Sequence, residues 1–135
     1  MLKKILLMVA TLALTLPLAL VLYAYSAPVV VLHYSAAASG PVGFFFNDDN
    51  SIIKDTMDPG TSRQFRTAHY PHADYVVEVS LPMASREGVE IRPPFSRVDV
   101  YIGADTNITR TVIDTDFMAR IGSDQTRFLK YMSIW

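Results

Sequence analysis

The chain has 135 residues, half of them apolar, with 12 Lys and Arg against 13 Asp and Glu and no cysteine. That length allows one modest core, and the lack of cysteine excludes disulfides, thiolate metal sites, a cysteine nucleophile and a lipid attached through an N-terminal cysteine. With Lys3 and Lys4 set aside the remainder is mildly acidic, which offers no basic field for a phosphate backbone and argues against nucleic acid as a partner.

Lys3 and Lys4 open an uncharged stretch in which Ile5–Tyr25 is almost wholly apolar. As a helix rising about 1.5 Å per residue this segment spans about 31 Å, close to the bilayer's hydrocarbon thickness of about 30 Å. Its Leu, Val and Ile residues alone favour insertion by about 3 to 7 kcal/mol. Pro17 would break a soluble helix, whereas a membrane helix tolerates it with a kink. The positive-inside rule keeps residues 1–4 in the cytoplasm and delivers the rest across the cell inner (cytoplasmic) membrane, to the periplasmic or extracellular side. A cleaved secretory signal has a shorter core of about 7 to 15 residues, so residues 5–25 are expected to form an uncleaved single-pass signal anchor. The alternative is secretion after cleavage behind Ser26 or Ala38, each of which closes a small-x-small triplet.

Residues 26–42 read as a tether with one candidate strand, Val29 to Leu32. From Gly43 to about residue 120 the chain keeps a strand-and-turn rhythm. Phe44-Phe45-Phe46 and Ser51-Ile52-Ile53 flank the turn-forming Asn47-Asp48-Asp49-Asn50, which predicts a hairpin. Asp58-Pro59-Gly60 is a second strong turn, followed by a strand over 62–68 with Phe65 on one face. In Tyr75 to Leu81 the residues Tyr75, Val77, Val79 and Leu81 share a face opposite Glu78 and Ser80, as in a half-buried antiparallel strand. Val89–Arg92 is broken by Pro93-Pro94, which cannot donate to a ladder. Val98, Val100 and Ile102 then alternate with Arg97, Asp99 and Tyr101, and residues 108–117 form the last long strand. This spacing predicts an antiparallel β-sandwich of immunoglobulin-like architecture, with a small open β-barrel as the rival. Residues 121–135 form an amphipathic tail in which Ser123 or Asp124 caps a short helix carrying Phe128, Tyr131, Met132 and Trp135 on one side.

No residue is assigned a catalytic, metal-binding or cofactor role. His69 and His72 stand three apart, but Pro71 disfavours a helix there and only His33 remains as a third imidazole, in the tether. The oxygens of Asn47–Asn50 lack the order of a calcium loop and serve the turn. No serine lies in a nucleophile elbow. Glu78, Glu90 and Asp99 fall on outward faces, where carboxylates are ordinarily solvated. The string Pro93-Pro94-Phe95-Ser96-Arg97 can be read as an edge-strand break or as a partner contact through Phe95 and Arg97, with the turn at Asp48 as a second contact candidate. The leading expectation is therefore a non-enzymatic exported domain, anchored in the bilayer through residues 5–25 and acting by contact with an envelope protein. The competing class is a small ligand-binding or hydrolytic protein with a dispersed site around His69, His72 and Asp74.

Overall fold

The computed structural model describes residues 1–81 and 87–120. Helix α1 runs over Leu2–Tyr25, 24 residues that include Pro17, and none of it is buried. Thr11 Oγ1 donates to the Leu7 carbonyl at 2.8 Å, one turn back along the helix.

Among the described residues eight strands follow: β1 (Val29–Tyr34), β2 (Val42–Asn47), β3 (Ile52–Met57), β4 (Ser62–Arg66), β5 (Val77–Leu81), β6 (Glu87–Ile91), β7 (Arg97–Ile102) and β8 (Ile108–Asp114), with a 3-10 turn at Phe117–Arg120. They form two four-stranded sheets, ordered β4-β1-β7-β8 and β3-β2-β5-β6. This is a small β-sandwich rather than a single open barrel. All pairs are antiparallel except β1 and β7, which run parallel in the middle of the first sheet. The expected all-antiparallel pairing fails there because β1 and β7 are far apart in sequence, and the intervening strands serve as the long crossover that a parallel pair needs.

The core lies between the sheets. Val30, Leu32 and Tyr34 of β1 and Val98, Val100 and Ile102 of β7 face Phe44 and Phe46 of β2, Val77, Val79 and Leu81 of β5, and Ile91 of β6. Phe65 of β4 completes it, stacked on Phe46 at 4.2 Å and edge-on to Phe44 at 5.8 Å. The alternation in residues 75–81 is realised as expected: Tyr75, Val77, Val79 and Leu81 are buried and Glu78 is exposed. Both expected turns form. Asp48 accepts the N–H groups of Asn50 and Ser51 in the β2–β3 hairpin. Gly60 adopts φ +76 in the Asp58–Thr61 turn and donates to the Tyr34 carbonyl, pinning the turn to the end of β1.

Two expectations need correction. The candidate strand at Val29 to Leu32 does form, but it runs on to Tyr34 as a central strand of its sheet, and only Ser26, Ala27 and Pro28 separate it from α1. Its unbroken apolar run has a simple cause: Val29, Val30, Val31 and Leu32 are all buried, so both faces of the strand are covered. The last strand stops at Asp114, short of Phe117, where Asp116 accepts the Met118 N–H and starts the 3-10 turn. The expected C-terminal helix falls on residues 121–135, outside the described residues.

Candidate functional site

The strand register builds a polar chain on the outer face of the first sheet. His33 of β1 lies beside Ser62 of β4 and Tyr101 of β7, and Val31 lies beside Asp99 of β7. His33 Nε2 meets Asp99 Oδ1 at 2.9 Å, and Nδ1 meets Ser62 Oγ at 3.0 Å. An ionised carboxylate only accepts, so in the neutral ring Nε2–H donates to Asp99 and Nδ1 receives the Ser62 hydroxyl proton. The imidazole stacks on Tyr101 with centroids 4.7 Å apart. From the other side Arg97 grips Asp99, Nε at 3.1 and 3.0 Å from the two oxygens and Nη2 at 2.8 Å from Oδ1.

Arg97 and Asp99 are each 2% exposed although they point away from the sheet-to-sheet core. The outward position read from the alternation is therefore right and the solvated surface is not. A hydroxyl, an imidazole and a carboxylate in series can polarise a serine. Here, however, Ser62 is an exposed residue of edge strand β4, and the Asp99 charge is shared with a guanidinium. What the geometry does directly is tie three neighbouring strands together through one buried charge pair. This set is hidden from a reading of the sequence that takes His33 as a tether residue. The available signal was the doubly buried run Val29–Leu32, since the neighbours of such a strand must be covered too.

The other sequence-derived candidates gather at the end of the sandwich where α1 enters. His69 stacks on Tyr23 at 4.1 Å and its Nε2 lies 2.7 Å from the Tyr23 carbonyl. Arg66 donates to the Tyr25 carbonyl at 3.1 Å with its guanidinium 4.6 Å over the Tyr25 ring. Arg120 donates to the Ser26 carbonyl. Arg66 and Arg120 thereby satisfy the Tyr25 and Ser26 carbonyls, the Tyr23 carbonyl already accepting the Ser26 N–H and hydroxyl, and the two Arg cations complement the helix dipole.

His72 instead pairs with Asp49 at 2.9 Å, and Asp74 is exposed. The two histidines thus serve different partners, and the cluster with Asp74 is not assembled. Among the described residues no group of three or more His, Asp or Glu could hold a metal ion. A cleft of about 180 Å³ opens here, lined by Thr67, His69, Pro71, Pro93, Phe95 and Arg120 among others.

Phe95 and Arg97, the candidates for partner contact, are both buried, Phe95 closing this end of the core and Arg97 lying beside Val29. Asp48 is committed to its turn, accepting the Ser51 hydroxyl at 3.0 Å besides the two backbone groups.

Burial, as the largest cause, pushes the Tyr75 hydroxyl above its ordinary value. In the β7–β8 turn, hydrogen bonds from the Asn107 side chain and backbone hold the Asp105 carboxyl below its ordinary value.

Comparison with known proteins finds no protein-family model, no curated protein and no solved structure that matches the chain. The unburied apolar helix and the β domain it carries fit a membrane-anchored or exported protein.

Proposed function

We propose that the protein is a single-pass membrane protein with its N-terminus in the cytoplasm and its β-sandwich on the periplasmic or extracellular side, acting by contact with another envelope protein. The observation that carries this is α1 itself: 24 residues, mean hydropathy 2.6 in its most apolar window, and no part of that window covered by the domain. A core helix would be covered. Retention rather than cleavage is supported by Arg66, His69 and Arg120, which would lose their carbonyl partners if the chain were cut behind Ser26.

The contact role is supported by β3, an edge strand whose residues from Ile52 to Thr56 are exposed. Such an edge carries ladder groups that an extended segment of a partner can pair with, the Thr56 N–H being held meanwhile by Asp55 Oδ1 at 2.8 Å. Lys54 and Asp55 put charge on it, which discourages indiscriminate pairing.

The test uses the full chain in native membranes. The protein should remain in the pellet after a carbonate wash with Met1 or Leu2 at its N-terminus, and the domain should be cut by protease added from outside. A photo-crosslinking residue at Lys54 or Thr56 should yield a discrete adduct to one protein, and the same residue at Ala104 should not. A soluble product starting at Ala27 would refute the anchor, and a membrane protein without adducts at β3 would refute contact through that edge.

A further inference from the structure

The exposed apolar side chains of the domain are distributed unevenly. Outside α1, the large hydrophobic residues that are well exposed among the described residues are Ile52, Ile53, Tyr70, Ile113, Phe117 and Met118. The topology puts all six toward one end of the sandwich, spread over both sheets. β1 and β7 start at the end where α1 enters, and their antiparallel neighbours β4 and β8 finish there, which brings residues 67–75 and 114–120 to that end. The β2–β3 turn joins them through the His72–Asp49 contact at 2.9 Å, carrying Ile52 and Ile53. Among the described residues, those at the far end, 35–41, 57–61 and 103–107, include none of them.

Depth follows from contact. If Lys3 and Lys4 mark the cytoplasmic boundary, a rise of about 1.5 Å per residue brings Tyr23 and Tyr25 to the opposite boundary of a hydrocarbon layer about 30 Å thick. Whatever packs on those rings lies at the same level. His69 stacks on Tyr23, Arg66 covers Tyr25, and Arg120 both caps Ser26 and lies 4.9 Å over the Phe117 ring. Neighbouring Tyr70 is 87% exposed, Phe117 51% and Met118 65%.

We propose that this end of the sandwich is seated in the bilayer interface, with Tyr70, Phe117 and Met118 reaching the acyl boundary and Arg66, His69 and Arg120 among the headgroups. Tyrosine and other amphipathic rings favour that layer, and long cationic side chains bury their stems there while their heads stay hydrated. The occupant is zwitterionic phospholipid. Asp48, Asp49, Asp74, Asp114 and Asp116 share this end with the basic groups, so an anionic surface gains nothing by charge. The inference rests on α1 spanning the membrane and adds that the domain lies against the bilayer instead of standing clear of it.

The test takes the full chain with Trp135→Phe, which removes the single tryptophan, reconstituted in phosphatidylcholine vesicles. One tryptophan is then returned at Tyr70, at Phe117, at Tyr23 as a depth reference, or at Ala104 at the far end. Phosphatidylcholine brominated near the top of its acyl chains should quench Tyr70→Trp and Phe117→Trp several-fold more than Ala104→Trp and nearly as much as Tyr23→Trp. Quenching at Tyr23 with positions 70 and 117 no better quenched than 104 would overturn the seating while leaving the anchor intact. Vesicles that float without the protein would overturn the anchor and the seating together. Quenching at 70 and 117 that appears only when phosphatidylglycerol is added would overturn the zwitterionic seat in favour of attraction by charge.

Discussion

Asp99→Asn is the sharpest probe of the interior, because alternation alone makes Asp99 look like Glu90, an outward carboxylate on a strand. The structure separates them. Asp99 and Arg97 have side chains 3% exposed and meet at 2.8 Å, whereas Glu90 and Arg92 are 65% and 64% exposed and meet at 3.3 Å. Asparagine removes the charge that compensates a buried guanidinium, and breaking one half of a buried pair costs about 3 to 5 kcal/mol. With a urea dependence of about 1 to 3 kcal/mol per molar, the unfolding midpoint should fall by 1 M or more, a large part of a stability of about 5 to 15 kcal/mol. Glu90→Gln disturbs a solvated pair and should cost about 0.5 kcal/mol or less.

Replacing both partners, Arg97→Met with Asp99→Leu, removes the desolvation penalty along with the attraction. It should therefore recover most of what Asp99→Asn loses. The assay is urea unfolding of the full chain in detergent micelles, followed by near-ultraviolet circular dichroism of the aromatic side chains, which reports tertiary packing and not the helicity of α1. If Asp99→Asn cost no more than Glu90→Gln, the burial of the pair, and with it the covered outer face of β1 and β7, would be wrong.

Val77→Asp places an unpaired carboxylate in the core and should cost several kcal/mol, while Glu78→Lys on the exposed face of the same strand should change stability by about 0.5 kcal/mol or less; equal costs in the same urea assay would refute the face assignment of β5. Tyr75 holds its proton more tightly folded than unfolded, so its contribution is complete below the unfolded value of about 10 and is lost as pH rises toward the higher folded value. Tyr75→Phe should flatten that alkaline fall and lower stability by about 1 kcal/mol at neutral pH, because the Ala68 N–H loses its acceptor; an unchanged alkaline limb in a pH series of unfolding midpoints would contradict this. Asp105 behaves in the opposite sense: its folded value is depressed, so its contribution is present at neutral pH and is lost as pH falls through that value. Asp105→Ala should weaken the acid limb of the same series, and a parent-like limb would remove the role given to the Asn107 bonds.

Local sequence was enough for whatever depends on local geometry. Uninterrupted apolar composition determined α1, alternation determined which faces of β5 and β7 point inward, and Asx, Pro and Gly residues determined the turns at Asp48–Asn50 and Asp58–Thr61. Each of these is a statement about backbone dihedrals and the direction of neighbouring side chains. Only the tertiary structure decided that Val29–Tyr34 is the middle strand of a sheet, paired in parallel with β7, and that the outer face of this pair is covered. That decision turned an apparent tether residue and an apparent surface carboxylate into one buried hydrogen-bonded set, with His33 lying 66 residues from Asp99 and 29 from Ser62. Likewise the side chains that hold the end of α1 to the domain lie 41, 46 and 94 residues beyond the carbonyls they meet. Such contacts leave no periodic trace, because they arise from the choice of partner strand, which is set by the burial of the whole assembly and not by any one segment.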